Sequence, residues 1–325
     1  MRLLTLLSAA VLAGTTPAAE WEVVSADLAK KEKAGYGGLC GVLVDRSTGH
    51  VYLNVSDKGL YRSEDAGKSW KAFATPFKGR TEWPGGMAFG PGGKLVVALV
   101  YGSPILVGSA KGEAWKVLDA KSGHVDWFAG DWADPDMKFL VALKHEADGL
   151  LLASHDGGKT FAEKGKGFAA AWVFDGKTAV AAEAKTKDTP KPGLKRTADG
   201  GETWTPCGDY TTQALPKWHG DKLYWLVDGA LLTTADKGVT WEKAGAVKDG
   251  KYGPVFGKDA KTMFVLTKDG VIESADGGAT WGKPVPLPKE LKGWSALTWL
   301  EYDPVGDYLY VMKMTSELWR MKRTP

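Results

Sequence analysis

Two cysteines, five histidines and seven arginines in 325 residues leave little material for several kinds of chemistry. Cys40 lies in an apolar stretch and Cys207 in a turn region several units later. The repeat described below puts them far apart, so no disulfide is expected, since Cα atoms more than about 7 Å apart cannot be bridged. His50, His124, His145, His155 and His219 follow no metal-ligand spacing. His124 and His145 with Asp126 have the composition of a two-His, one-carboxylate site, but the expectation is no metal and no cofactor. His155 is expected to face solvent. No nucleophile elbow and no phosphate-binding glycine loop occurs.

An excess of one charge is also missing: 42 basic side chains face 39 acidic ones. So even a balance gives no basis for nucleic acid or an anionic membrane as partner. The only long apolar run is Leu3 to Gly14, between Arg2 and a stretch of small residues. That three-part pattern predicts a signal peptide over residues 1–19, cleaved after Ala18 or Ala19. The mature protein is expected to be secreted or periplasmic, with no stable membrane insertion.

What the sequence does have is an octet spelled five times: "SEDAGKSW" from Ser63, "SHDGGKTF" from Ser154, "TADGGETW" from Thr197, "TADKGVTW" from Thr234 and "SADGGATW" from Ser274. A degenerate copy, "GSAKGEAW" from Gly108, keeps the Gly and the Trp. Successive starts lie 45, 46, 43, 37 and 40 residues apart, the period of a four-stranded propeller blade. Two short alternating runs precede each octet, with a further run upstream, as in "HVYLNVSDKGLYRSEDAGKSW". The unit is an inner strand, two middle strands, the octet as a turn, and an outer strand beginning at its aromatic residue. In the octet the aspartate accepts from backbone N–H groups, the glycine adopts a positive φ or allows a close approach, and the aromatic fills the adjacent gap. Asp65, Asp156, Asp199, Asp236 and Asp276 are therefore structural. One carboxylate per octet is too few for calcium, which takes about six to eight oxygens.

Six octets mark six blades, and "WSALTWLEYDPVGDYLYVMKMTSELWRMKRTP" supplies three strands of a seventh. The lone strand "WEVVSADL" (21–28) is expected to complete that blade and close the ring without an open sheet edge. The fold class is thus all-β, a single seven-bladed propeller over residues 20–325 with its last blade closed by the N-terminal strand, and a monomer.

The octets resemble the Asp-box, or BNR, repeat of β-propellers, a family that includes sialidases, xyloglucan-active endoglucanases and sortilin-type receptor domains. The resemblance implies that octets lie on the face away from the ligand. The working face would then be built by the loops entering each inner strand and the loops between middle strands. It also implies that a sialidase needs three arginines around the substrate carboxylate. Of Arg46, Arg62, Arg80, Arg196, Arg320 and Arg323, only Arg80 falls in a working-face loop, so no such clamp forms and sialidase activity is not expected.

Two functions remain. The favoured one is a non-catalytic binding or scaffold module for an extracellular or periplasmic protein or glycan. Its candidate ligand-binding residues are Tyr36, Arg80, Trp83, His124, Trp127, Lys144, Tyr252, Lys268 and Trp294. The aromatics among them, together with Trp172 and Trp218, would set nearly one ring per blade around a central pocket. The alternative is an extracellular glycoside hydrolase, whose two carboxylates must stand roughly 5–10 Å apart. Glu82, Asp126 and Asp131 are the candidates for it. The Lys- and Pro-rich segment 183–195 is expected to form a mobile flap.

Overall fold

The computed structural model describes residues 20–74, 79–102, 105–109 and 111–323. The expected signal peptide lies outside the described residues. Seven antiparallel sheets follow one another along the chain and form a closed seven-bladed β-propeller. The inner strands of blades one to seven are Leu39–Val44, Met87–Phe89, Val125–Gly130, Phe168–Val173, Lys217–His219, Gly250–Phe256 and Thr298–Asp303. In blade seven the C-terminal strand Trp319–Lys322 pairs on its outer side with Trp21–Val23, in the register Trp21↔Met321 and Val23↔Trp319. The ring therefore closes through the N-terminal strand. Blade six departs from four strands: beyond Gly270–Ser274 its outer edge is one bridge, Val271↔Val285. Pro284, Pro286 and Pro288 alternate along that edge, and proline has no N–H to continue a ladder.

The octets show why the ring holds together. In all five, the first Ser or Thr hydroxyl donates to Asp Oδ1 at 2.7–2.8 Å. The same hydroxyl oxygen accepts the glycine N–H at 2.7–2.9 Å. The aspartate in turn receives the N–H of the second Ser or Thr at 2.9–3.0 Å. The clasp frees its glycine to touch the preceding blade. Gly67 has φ +92°, and a Cβ there would lie 2.7 Å from Val24 Cβ. Beside it, Trp70 Nε1 donates to the Val24 carbonyl at 2.7 Å.

Each octet aromatic is packed in the apolar layer shared with the blade before it: Trp70, Phe161, Trp204, Trp241 and Trp281 join the interfaces of blades seven/one, two/three, three/four, four/five and five/six. Seven such layers, one per blade boundary, make up the core. His155 is exposed, as expected, and also stacks one face on Phe139 at 4.6 Å while its Nε2 pairs with the Gly200 carbonyl of the next blade at 2.9 Å. Cys40 and Cys207 stand unbridged on blades one and four, and burial pushes the Cys40 thiol up to about 12.

Gly67→Ala forces both a disfavoured φ and a clash with a β-branched side chain. It should cost roughly 2–4 kcal/mol in chemical denaturation. Gly92→Ala, at φ +65° with nothing within 4 Å, should cost only about 1 kcal/mol. Equal costs would contradict the account of the octet as a link between blades. The octet carboxylates supply a second check. Hydrogen bonds from Thr160, Thr240 and Thr280 hold Asp156, Asp236 and Asp276 at about 2. A depressed folded pKa contributes stability that is present above the unfolded value and lost as pH falls through the folded one. The melting temperature should therefore drop between pH about 4 and about 2, and less steeply in Asp236→Asn.

Candidate binding face

The loops entering the inner strands and the loops between middle strands meet on the face opposite the octets. Near the axis they enclose a cleft of about 350 Å³ whose lining includes Trp83, Trp127, Tyr252, Trp294, Lys251 and Asp228. Trp127 is anchored, its Nε1 donating to the Ala169 carbonyl at 3.2 Å. Lys251 Nζ lies 5.2 Å over the Trp294 ring, so the cleft wall offers both a cation and apolar faces. Trp172 and Trp218, expected in the same ring, do not join it. Trp172 sits near the far end of its inner strand and Trp218 in the middle of a three-residue one, and both line the mouth of the axis on the octet face.

Beside the cleft, on blades one to three, is a tighter cluster. Arg80 pairs in both directions with Val100 through the backbone, at 3.1 and 2.9 Å, and the Thr81 N–H donates to Asn54 Oδ1 at 2.9 Å. The loop is thereby fixed between blades one and two. The Arg80 guanidinium is buried between two rings, 4.4 Å from the Tyr36 centroid and 4.6 Å from that of Tyr101. Its Nη2 stands 2.9 Å from Glu82 Oε2. Tyr36 and Tyr101 are 78% and 54% exposed, so the stack presents two open aromatic faces around a desolvated cation.

Tyr101 also meets His124 and His145 edge-on, at 5.1 and 5.8 Å. His145 Nδ1 lies 2.7 Å from Asp126 Oδ1, and its buried Nε2 makes no hydrogen bond. Burial raises Asp126 above the usual carboxylate range, against the pull of His145. Lys144 stands at this blade edge across Gly123. Lys268 lies on blade six, paired with Asp249 at 3.3 Å.

The three hydrolase carboxylates therefore have different settings. Glu82 faces Arg80 and Asp126 faces His145. Asp131 follows the end of its inner strand and closes a turn by accepting the Ala133 N–H at 3.0 Å. That loop abuts an octet through Gly157 N–H to the Lys138 carbonyl, so Asp131 belongs to the opposite face. The flap of 183–195 is tied at its base: Glu183 pairs with Lys195 at 2.7 Å and accepts the Gly193 N–H at 3.1 Å. Among the described residues, no three His, Cys, Asp or Glu side chains converge as a metal site. No helix among them is long and apolar enough to cross a membrane.

Sequence reasoning missed Tyr101 and the axial charges Lys217 and Glu301. Tyr101 directly follows the apolar strand "KLVVALV" in a middle loop, a legible signal. Lys217, Tyr252 and Glu301 line the interior of the axis. Burial pushes the Glu301 carboxyl up to about 7, against the pull of Lys217 and Arg46.

No family model matches the chain, and no curated protein does. Solved structures do. It is similar to YCF48 bound to a D1 peptide (14% identity, TM-score 0.55, covering 96% of each chain). YCF48 from Cyanidioschyzon merolae is 12% identical with a TM-score of 0.53, covering 93% of this chain and 98% of that one. The Cps50 (Swd1) β-propeller domain of Myceliophteria thermophila is 11% identical with a TM-score of 0.59, covering 89% and 97%. At such identities the likeness shows the fold alone.

A raised folded pKa contributes stability that is full below the unfolded value and lost as pH rises through the folded one. Glu301 should make the protein lose stability from pH about 4.5 to about 7, and Glu301→Gln should remove that loss. Melting temperatures of both proteins at about pH 5 and about pH 8 read it out. The variant should gain relative to wild type at the higher pH, and an unchanged difference would refute the assignment.

Proposed function

We propose that this chain is an exported, monomeric Asp-box propeller that binds an extended polypeptide segment on the face opposite its octets and catalyses no reaction there. The observation that carries this reading is the shape and chemistry of the face. An open cleft of about 350 Å³ with aromatic walls adjoins the Tyr36–Arg80–Tyr101 stack. Exposed rings with a held cation suit alternate apolar and acidic side chains of a peptide. Glu82 and Asp126 are each engaged by a basic partner, which leaves the site without the free acid and free base that glycoside hydrolysis requires. The peptide bound to YCF48, on a similar fold, is a further support for a peptide ligand.

A peptide array probed with the purified protein should return sequences that combine acidic and aromatic residues. Trp294→Ala and Tyr101→Ala should each weaken the best hits about tenfold or more. Chromogenic glycosides run in parallel decide the alternative: turnover abolished by Asp126→Asn would replace the binding module with a hydrolase.

A further inference from the structure

The axis carries a second cavity, on the octet face, that the peptide reading does not use. Its volume is about 470 Å³, and it shares Tyr252 with the cleft on the other face. Tyr252 is therefore the partition between two back-to-back pockets. Trp132, Trp172 and Trp218 line the second pocket. Trp218 is 43% exposed, so part of its indole surface is open.

Polar side chains line the deeper part of this pocket. Tyr252 is buried, 5% exposed, and its hydroxyl interacts with Lys217. Lys217 Nζ lies 5.6 Å over the Tyr252 ring. Glu301, half-buried, lines the same space. Arg46 at the mouth gives its guanidinium to the carbonyls of Phe256 and Gly257, at 2.7 and 2.5 Å, fixing one side of the entrance across blade seven.

We propose that this octet-face pocket binds a neutral hexose, with the sugar ring stacked on tryptophan and its hydroxyls on Lys217 and Glu301. Two basic side chains, Lys217 and Arg46, are offset by two acidic ones, Asp45 and Glu301, among the lining residues. The site thus selects for neither an anion nor a cation. It offers donors and acceptors side by side, which is what vicinal hydroxyls satisfy: each O–H both donates and accepts. Flat C–H faces of a pyranose cover indole surface, removing apolar area from water. A Glu301 carboxyl titrating near pH 7 serves as donor or acceptor.

The test is intrinsic tryptophan fluorescence of the purified protein titrated with methyl glycosides of glucose, galactose and mannose, and with glucuronate. At least one neutral glycoside should give a saturable change. Trp218→Ala should weaken it about tenfold or more, and Trp83→Ala, on the other face, should leave it unchanged. The exposed Trp218 can be removed without disturbing the fold, which circular dichroism checks. The proposal falls if no neutral glycoside saturates, if glucuronate alone binds, or if Trp83→Ala abolishes binding while Trp218→Ala does not. Peptide binding by the same variants is read separately, so the loss of one site does not mask the presence of the other.

Discussion

The Ser/Thr–Asp–Gly clasp is the constraint on which the ring depends. The strand ladders of one blade reach no neighbouring blade, so cohesion rests on the seven apolar layers between sheets and on side-chain hydrogen bonds across them, such as Trp70 to Val24 and Trp127 to Ala169. The clasp registers those layers: its aspartate locks the turn, its glycine lets backbone meet the preceding blade, and its aromatic enters the shared layer. The two departures from this pattern are compensated in different ways. In blade two the aspartate position is Ala110, and the turn is held by Lys111 N–H to Ser109 Oγ at 3.0 Å and by Ser109 N–H to the Glu113 carbonyl. Blade seven has no octet. Trp21, at the start of the N-terminal strand, takes the place of an octet aromatic in the layer between blades six and seven, and its Nε1 donates to the Pro286 carbonyl at 2.9 Å. Arg320 then ties Glu22 to the Ala66 carbonyl in the first octet. The closing strand and the first clasp are thus one unit, which is why Val24 meets both Gly67 and Trp70.

The octets fix one end of every blade, so variation is left to the opposite loops and to the axis. The Arg80 stack illustrates the first. A cation this deeply desolvated is costly unless it is paired, and Glu82, Tyr36 and Tyr101 together provide the pairing while leaving two rings exposed. The rigidity of the loop beneath, bridged to Val100 and bonded to Asn54, means a ligand meets a preformed surface and loses little to ordering.

The octet turns, the blade count and the closure by residues 21–23 were legible because they depend on local turn chemistry repeated at a fixed period. The sides of the rings and acids were less so, because they depend on where each inner strand starts and stops. Blade four's strand begins at Phe168, which carries Trp172 to its far end. Blade three's strand ends at Gly130, which delivers Asp131 to the octet side. Bulges added to the difficulty. Blade six shifts register between Gly250 and Tyr252 and again between Tyr252 and Val255, so simple alternation does not tell which of its side chains enter the axis. The glutamate in "LTWLEYD" was nonetheless a readable exception, a charge within an otherwise apolar inner strand.

That exception bears on why the axis is polar at all. Buried ionisable groups give up hydration that their mutual attraction repays only with close geometry. Neither Lys217 nor Glu301 has an ion-pair partner within 4 Å among the described residues. The seven apolar layers already account for the cohesion of the ring, and Leu43 and Trp299 show that apolar side chains also fit the axis wall. An axis filled with such residues would be the more stable one. Lys217, Tyr252 and Glu301 therefore lower stability where the fold does not require them, and they do so in a part of the axis roomy enough to admit a small polar molecule.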